Sequence, residues 1–434
     1  ALTVSLLQSP LFGSLFSDTE LTDVLSDARF VQRMVLFQRV LARVQGQLGI
    51  IPQDAANQID QGLEDAQVSP ESLAPGVVSA GVPVPALVGE LRARLDKEAG
   101  QWLHWGATSQ DVIDTAQVLG LSEALVIIEA RLSTLIDTLE VQSEAHAETL
   151  MAGRTRGQIA TPITFGLRIA QWAAPLIELE QGLAGIRAQA LKVQFGGASG
   201  ANTAIAPKGP EITEALARAL DLAAASPWHT NRLGLHAAAD WALHLTDAVS
   251  KMAGDLIVMM RSEIGEARAG QGGGSSTMPQ KQNPVTAETV CALATLARGA
   301  HTGLMASGAH AEERDGAKWP VEWALLPQLL VMAGAGLRHA VDLAETLQAD
   351  TARMRATLDA NTGVMAEQAS FALAAHMPRA EAQGLVKQAI ATGKPLVEAL
   401  AELSSVALDW SNILDPASAI PAAQQVAMQI FAGR

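Results

Sequence analysis

Seven apolar residues, Val118, Leu121, Leu125, Ile128, Leu132, Leu135 and Leu139, follow one another at spacings of 3, 4, 3, 4, 3 and 4. That rhythm lays one continuous stripe along an α-helix and offers it for packing against other helices. After Gly120, neither proline nor glycine interrupts the stretch as far as Leu150. The spacing therefore predicts one helix from about Val112 to about Thr149, roughly 55 Å long at 1.5 Å per residue. A rod of that length must cover its stripe with further helices, and the sequence supplies them. Helical patterns run over 165–193, 240–266, 286–305 and 319–347, the last with an expected kink at Pro327. Strand-like alternation between turn signals is scarce, so the predicted class is all-α.

Composition shifts divide the chain into three mostly helical parts. Residues 1–105 hold shorter helices and a Pro/Gly-rich stretch, APGVVSAGVPVPALVG. Residues 106–345 form a central block of long helices, and 346–434 a smaller C-terminal helical part. The 434 residues are 49% hydrophobic and only 17% charged, which excludes a disordered chain and points to a large subunit interface. Thirty Lys and Arg against 45 Asp and Glu give a net charge of −15, the wrong sign for a nucleic-acid binder. The single cysteine, Cys291, excludes an internal disulfide and suits a reducing compartment. No basic start marks the N-terminal residues as a secretory signal, and prolines break the uncharged runs 73–89 and 323–337. The expectation is a soluble, cytoplasmic protein with neither nucleic-acid nor membrane partners.

Three polar, small-residue segments interrupt the helices. The first, Gly106-Ala-Thr-Ser-Gln-Asp111, precedes the long helix. Thr108, Ser109 and Asp111 could cap that helix, and the same amides and hydroxyls also suit a bound carboxylate. The second, residues 153–166 (GRTRGQIATPITFG), carries Arg154 and Arg156. Both could hold carboxylates in a fork, or could pair on the surface with Glu144 or Glu148. The third, residues 271–284 (QGGGSSTMPQKQNP), joins three glycines to serines, Lys281 and Asn283. It lacks the spacing of a phosphate-binding P-loop, and GGASG at 196–200 is not a nucleophile elbow. With nine histidines in no H-E-x-x-H arrangement and one cysteine, no metal site or cofactor is expected. His104 stands out as substrate binder or proton relay, and His229 as a loop-positioning residue. Trp102, Trp105, Trp319 and Trp323 flank the polar segments as candidate apolar walls. The chain contains no tyrosine, so tyrosine proton chemistry is excluded.

The GSSTMPQKQNP run resembles the signature loop of the fumarase/aspartase superfamily, and GATSQD and GRTRGQIATPITFG resemble its two other signature regions in order and spacing. The resemblance spans nearly the whole chain. It implies three helical domains and a homotetramer whose core is a bundle of the long helices, each active site drawing on three subunits. The residues support shared sites independently, since segments 106–111 and 153–166 lie at opposite ends of the predicted 55 Å helix. By the same resemblance Ser275 is the catalytic base, and Lys281 and Asn283 hold the substrate carboxylate as charge develops on it.

One departure narrows the chemistry. Superfamily lyases that release amines or hydroxyls usually carry His after Gly-Arg-Thr, to protonate the leaving atom. Here Arg156 occupies that position, and arginine does not give up its proton near neutral pH. A leaving group that needs no proton fits, such as a carboxylate with its pKa near 4. Expelling a carboxylate within one molecule opens a lactone, and the reverse is a cycloisomerisation. WGATSQD, LKVQFGGASG, PWHTNR and ERDGAKWPVEW are similar to segments of the lactonising branch, the 3-carboxy-cis,cis-muconate cycloisomerases. That branch implies lactonisation of a 3-carboxy- or related 3-substituted muconate, in the protocatechuate branch of the β-ketoadipate pathway of aromatic degradation. A small anionic tricarboxylate would then be oriented by Arg156 and Arg314, with His104, Thr108, Ser109, Thr155 and Gln158 completing the polar shell. The alternative is an adenylosuccinate lyase-type elimination releasing fumarate. It typically uses an Arg-Tyr pair near the N-terminus, whereas this chain has no tyrosine and no arginine before Arg29.

Overall fold

The computed structural model describes residues 4–434 except 275, 276, 279 and 362. The long helix is present as α2 (Ser109–Ala145), following α1 (Asp27–Gln47). Every residue of the predicted stripe, from Val118 to Leu139, is at most 1% exposed. α2 starts three residues earlier than expected because residues 108–111 close its first turn, and it yields to turns at His146 and Thr149. Then come α3 (Phe165–Ala190), α4 (Leu233–Met259), α5 (Val285–Ala306) and α6 (Trp319–Glu345).

The predicted range 240–266 needs correction. α4 begins at Leu233, where Leu235, Ala238 and Ala239 are already buried, and it ends at Met259. Ile264 and Gly265 then turn back onto the Arg261 carbonyl. The Pro/Gly-rich N-terminal stretch is also helical, as Pro70–Ala80 and Val84–Arg92. Ser69 caps the first with Pro70 in its opening turn, and Gly81 closes it in the left-handed region at φ 74°.

The helical class holds, with three short antiparallel ribbons inserted. β1 (Leu150–Thr155) pairs with β2 (Gln158–Thr164), β3 (Ala267–Arg268) with β6 (Gln348–Ala349), and β4 (Gly273–Gly274) with β5 (Gln282–Asn283). The two-residue strands are too short for a periodicity of two to show, and β1 and β2 bury their residues without regular alternation, so the ribbons left little trace in the sequence pattern.

Contacts divide the chain into two compact units, each built from three stretches. One comprises Ala1–Arg131, Gly182–Asp247 and Ala292–Leu337; the other Leu132–Gln181, Ala248–Cys291 and Arg338–Arg434. The first packs Phe37, Leu41, Leu91, Val112, Phe195 and Trp319 into one core, the second Ala152, Leu358, Leu373, Val386 and Trp410. A buried charge cluster fixes the first unit. Arg232 pairs with Asp114 of α2 and Glu322 of α6, and Trp319 Nε1 donates to Asp114 Oδ1 at 2.9 Å. Such charges survive burial only when paired and hydrogen-bonded, so the cluster specifies how α2 and α6 meet. α6 is long and apolar enough to cross a membrane, but 67% of its most apolar stretch is buried within the protein.

Candidate active site

In the first unit the site is organised by Asp111, whose side chain is fully buried at the start of α2. Its Oδ2 accepts from the Thr108 amide (3.0 Å) and the Gly197 amide (3.0 Å). Its Oδ1 accepts from the Gly196 amide (2.8 Å) and lies 2.8 Å from His229 Nε2. The carboxylate thus closes the helix N-terminus and pins the 196–200 loop against it. Glycine is required at 196, because a Cβ there would sit 2.8 Å from His229 Cε1. His229 Nδ1 is buried with no partner among the described residues. The sequence reading of His229 as a positioning residue agrees with this geometry.

Arg314 reaches the same spot from the loop before α6. It donates from Nε to Gln110 Oε1 (2.9 Å) and from Nη2 to Thr108 Oγ1 and the Ala198 carbonyl (both 3.2 Å). The Thr108 hydroxyl is therefore engaged with a guanidinium rather than capping the helix, and Ser109 is the first helical residue beside it. The Gln110 amide oxygen orients Arg314, while the nearby Glu322 is committed to Arg232. His104 precedes the segment at φ 64°, its Nδ1 2.9 Å from Gln38 Nε2. Burial pushes its pKa down to about 4 against the opposing pull of Asp111, so the ring is neutral at physiological pH. It can donate or accept a hydrogen bond there but carries no charge.

The second unit presents the β1–β2 hairpin. Thr155 pairs with Gln158, leaving a two-residue turn of Arg156 and Gly157 with φ of 53° and 78°. Both positive values are what a type I′ turn demands, and Gly suits it while Arg does not. Thr155, Arg156 and Gln158 are all exposed at this tip. Arg154 behaves differently. Its fork closes on Glu266, Nη1 to Oε2 at 2.9 Å and Nη2 to Oε1 at 2.8 Å, so it is not available to a substrate carboxylate. Neither reading of the pair as surface partners of Glu144 or Glu148 holds. Arg156 has no ion-pair partner among the described residues.

Lys281 and Asn283 line a polar cleft of about 920 Å³ in the second unit. Arg261 and Arg268 line it too, against Glu263 and Asp350, and the Asp350 carboxylate already caps the helix Thr351–Asp359. The cleft therefore gathers cations where an anionic ligand is expected. Sequence reasoning missed Arg261 and Arg268, because they stand outside the recognisable segments; Gly265, in the turn between them, was the available signal. Ser275 lies outside the described residues. The structure thus gathers Thr108, Ser109 and Arg314 in one unit near His104, and Lys281 with Asn283 in the other, whose hairpin tip carries Thr155, Arg156 and Gln158.

A family profile described as Lyase matches residues 16–299. The chain is 37% identical to a 3-carboxy-cis,cis-muconate cycloisomerase of Bradyrhizobium diazoefficiens, over 98% of this chain and 97% of that one. A Pseudomonas aeruginosa protein of the same name is also 37% identical, over 94% and 92%. The crystal structure of the 3-carboxy-cis,cis-muconate lactonizing enzyme from Pseudomonas putida superposes with a TM-score of 0.89 at 33% identity, covering 98% of this chain and 99% of that one. Profile, full-length identity and fold agree, and the chain belongs to this lyase family.

Proposed function

We propose that the protein is a cycloisomerase that lactonises 3-carboxy-cis,cis-muconate or a closely related 3-substituted muconate. The observation that carries this reading is Arg156, held exposed in a left-handed turn that arginine disfavours. It stands where amine-releasing members of the superfamily carry a histidine acid. A guanidinium there can grip an anion but cannot protonate a leaving amine. The muconate-lactonising names of the similar proteins support the same conclusion.

In the lactonising direction a substrate carboxylate oxygen adds to one carbon of a double bond, and Ser275 delivers its proton to the adjacent carbon. Electron density moves onto the carboxylate beside that carbon as the new C–O bond forms. Lys281 and Asn283 stabilise that charge, and the resulting serine alkoxide regains a proton from water. Arg156 and Arg314 orient the remaining carboxylates, with Thr108, Ser109, Thr155 and Gln158 as hydrogen-bonding neighbours. His104, neutral at working pH, serves as a hydrogen-bonding contact to the substrate.

A homotetramer is part of the proposal. Helix α2 holds 37 residues and so is about 55 Å long, with Thr108 preceding one end and the hairpin following the other. One small substrate cannot meet both ends of one such helix, whereas neighbouring antiparallel copies can supply the missing end. Val126 and Val141 on α2, Val258 on α4 and Leu296 on α5 are exposed apolar side chains that such a helical bundle would cover. The proposal also retains the three-part division at about 105 and 345, and a cytoplasmic setting.

Ser275→Ala tests the chemistry. The purified variant should retain the tetramer mass in light scattering and lose turnover of the muconate. Substantial residual turnover would remove Ser275 from its role.

A further inference from the structure

Residues 101–106 form turns rather than helix or strand, and His104 among them is held at φ 64°. Left-handed backbone in a residue other than glycine persists only where the surroundings over-determine it. Here they do. Arg92 donates from Nε to the Gly100 carbonyl and from Nη2 to the Leu103 carbonyl, both at 3.2 Å. Gln45 Nε2 donates to the Trp105 carbonyl at 2.7 Å, and the Trp102 and Trp105 rings lie against each other with centroids 4.7 Å apart.

Gln38 holds the ring itself, its Nε2 lying 2.9 Å from His104 Nδ1. Gln38 and Gln45 stand seven residues apart on α1, about two helical turns, so they share one face, and both are fully buried. An amide nitrogen only donates, so Nδ1 is the acceptor and the proton of the neutral ring stands on Nε2. That second nitrogen makes no hydrogen bond to a described residue, and the ring is only partly buried.

Two charges face the ring. Burial, the largest effect, and Arg92 both disfavour an imidazolium, while Asp111 favours it. A carboxylate in place of the Gln38 amide would accept a proton from Nδ1 and tip this balance toward the charged ring. The amide instead leaves a neutral ring with one donor to offer. On the lactonising reading that donor meets a substrate carboxylate, whereas the other tautomer would turn a lone pair on the same oxygen and repel it. We infer that Gln38 is a positioning residue of the active site: its amide fixes His104 as the Nε2–H tautomer, a neutral hydrogen-bond donor to a substrate carboxylate. The target of that donor rests on the lactonising reading, and the tautomer on the Gln38–His104 contact.

The test is proton–nitrogen correlation NMR of the intact protein with isotope-labelled histidine at neutral pH, the His104 signals being identified by their loss in His104→Asn. The unmodified protein should show Nε2 protonated and Nδ1 bare. Gln38→Met keeps the side chain's length but removes the donor, and should give a mixture of tautomers; Gln38→Glu should place a proton on Nδ1. A dominant Nδ1–H form in the unmodified protein, or a pattern that a folded Gln38→Met leaves unchanged, would overturn the inference. Kinetics with 3-carboxy-cis,cis-muconate separate positioning from packing. Gln38→Met should raise KM about fivefold with kcat little changed, the net worth of roughly one hydrogen bond made equally in ground and transition states. In the His104→Asn background the same substitution should change KM no further, and an equal effect in both backgrounds would place the role of Gln38 elsewhere. The tautomer is read without turnover, so it is decided separately from the identity of the substrate. If Gln38→Met does not fold, the protonation pattern of the unmodified protein decides.

Discussion

Arg156→Asn should move stability and activity in opposite directions. The native backbone holds Arg156 at φ 53°, in the left-handed region. Occupying that region costs an ordinary L-residue about 1–2 kcal/mol, whereas asparagine visits it readily because its short polar side chain bonds locally. The side chain is exposed and has no ion-pair partner among the described residues, so its removal forfeits no folded-state contact of comparable size. The net expectation is a gain of about 1 kcal/mol in urea unfolding, from relief of strain alone. Activity should fall, because the variant loses a charge-assisted grip on a substrate anion worth about 1.5–3 kcal/mol. That corresponds to a loss of roughly ten- to hundredfold in kcat/KM, followed by diene absorbance. The strain is then a stability sacrifice kept for binding. A variant that is destabilised by 1 kcal/mol or more, or that keeps full kcat/KM, would refute this reasoning.

Three further substitutions probe the framework behind the site. Asp111→Asn keeps one acceptor oxygen but turns an NH₂ group toward two of the donors that the carboxylate now satisfies, namely Thr108, Gly196, Gly197 and His229. The cost should be about 2–5 kcal/mol in urea unfolding, and a loss below 1 kcal/mol would show that the loop is anchored elsewhere. Glu322→Leu leaves Arg232 buried with Asp114 as its one remaining carboxylate partner among the described residues, and should destabilise by about 3–5 kcal/mol; a neutral effect would mean the charge cluster is dispensable. His104 sets a pH dependence. Its folded pKa of about 4 lies below the ordinary 6.5, so below pH 6.5 the unfolded chain binds more protons and stability falls until about pH 4. The loss is at most about 3 kcal/mol, because the ring keeps some contact with water. His104→Asn, which tolerates the positive φ, should flatten that part of the stability–pH curve; an unchanged slope would assign it to other groups.

The stripe from Val118 to Leu139 was legible because a helix repeats its burial every three or four residues over a long run, and each member is buried. The hairpin tip was legible as chemistry but not as geometry. A type I′ turn is usually signalled by Asn-Gly or Asp-Gly, and Arg156-Gly157 hides it behind a residue placed there against local preference. Arg154 and Arg156 look alike in the sequence; Glu266, more than a hundred residues away, takes one and leaves the other exposed. The roles of Asp111 and Gln110 rest on contacts with residues 196–197, 229 and 314, which no local pattern encodes. The C-terminal boundary of α4 depended on a turn at Arg261 for which the sequence carries only Gly265 as a marker.

The most direct measurement is an ultraviolet assay of the purified protein with 3-carboxy-cis,cis-muconate beside one with adenylosuccinate. Loss of the diene absorbance with the first and no change with the second is the expected result, and it would tie Arg156 to a reaction whose leaving group needs no proton. Turnover of adenylosuccinate with the muconate left intact would contradict it, and would require another residue to supply the acid that arginine cannot.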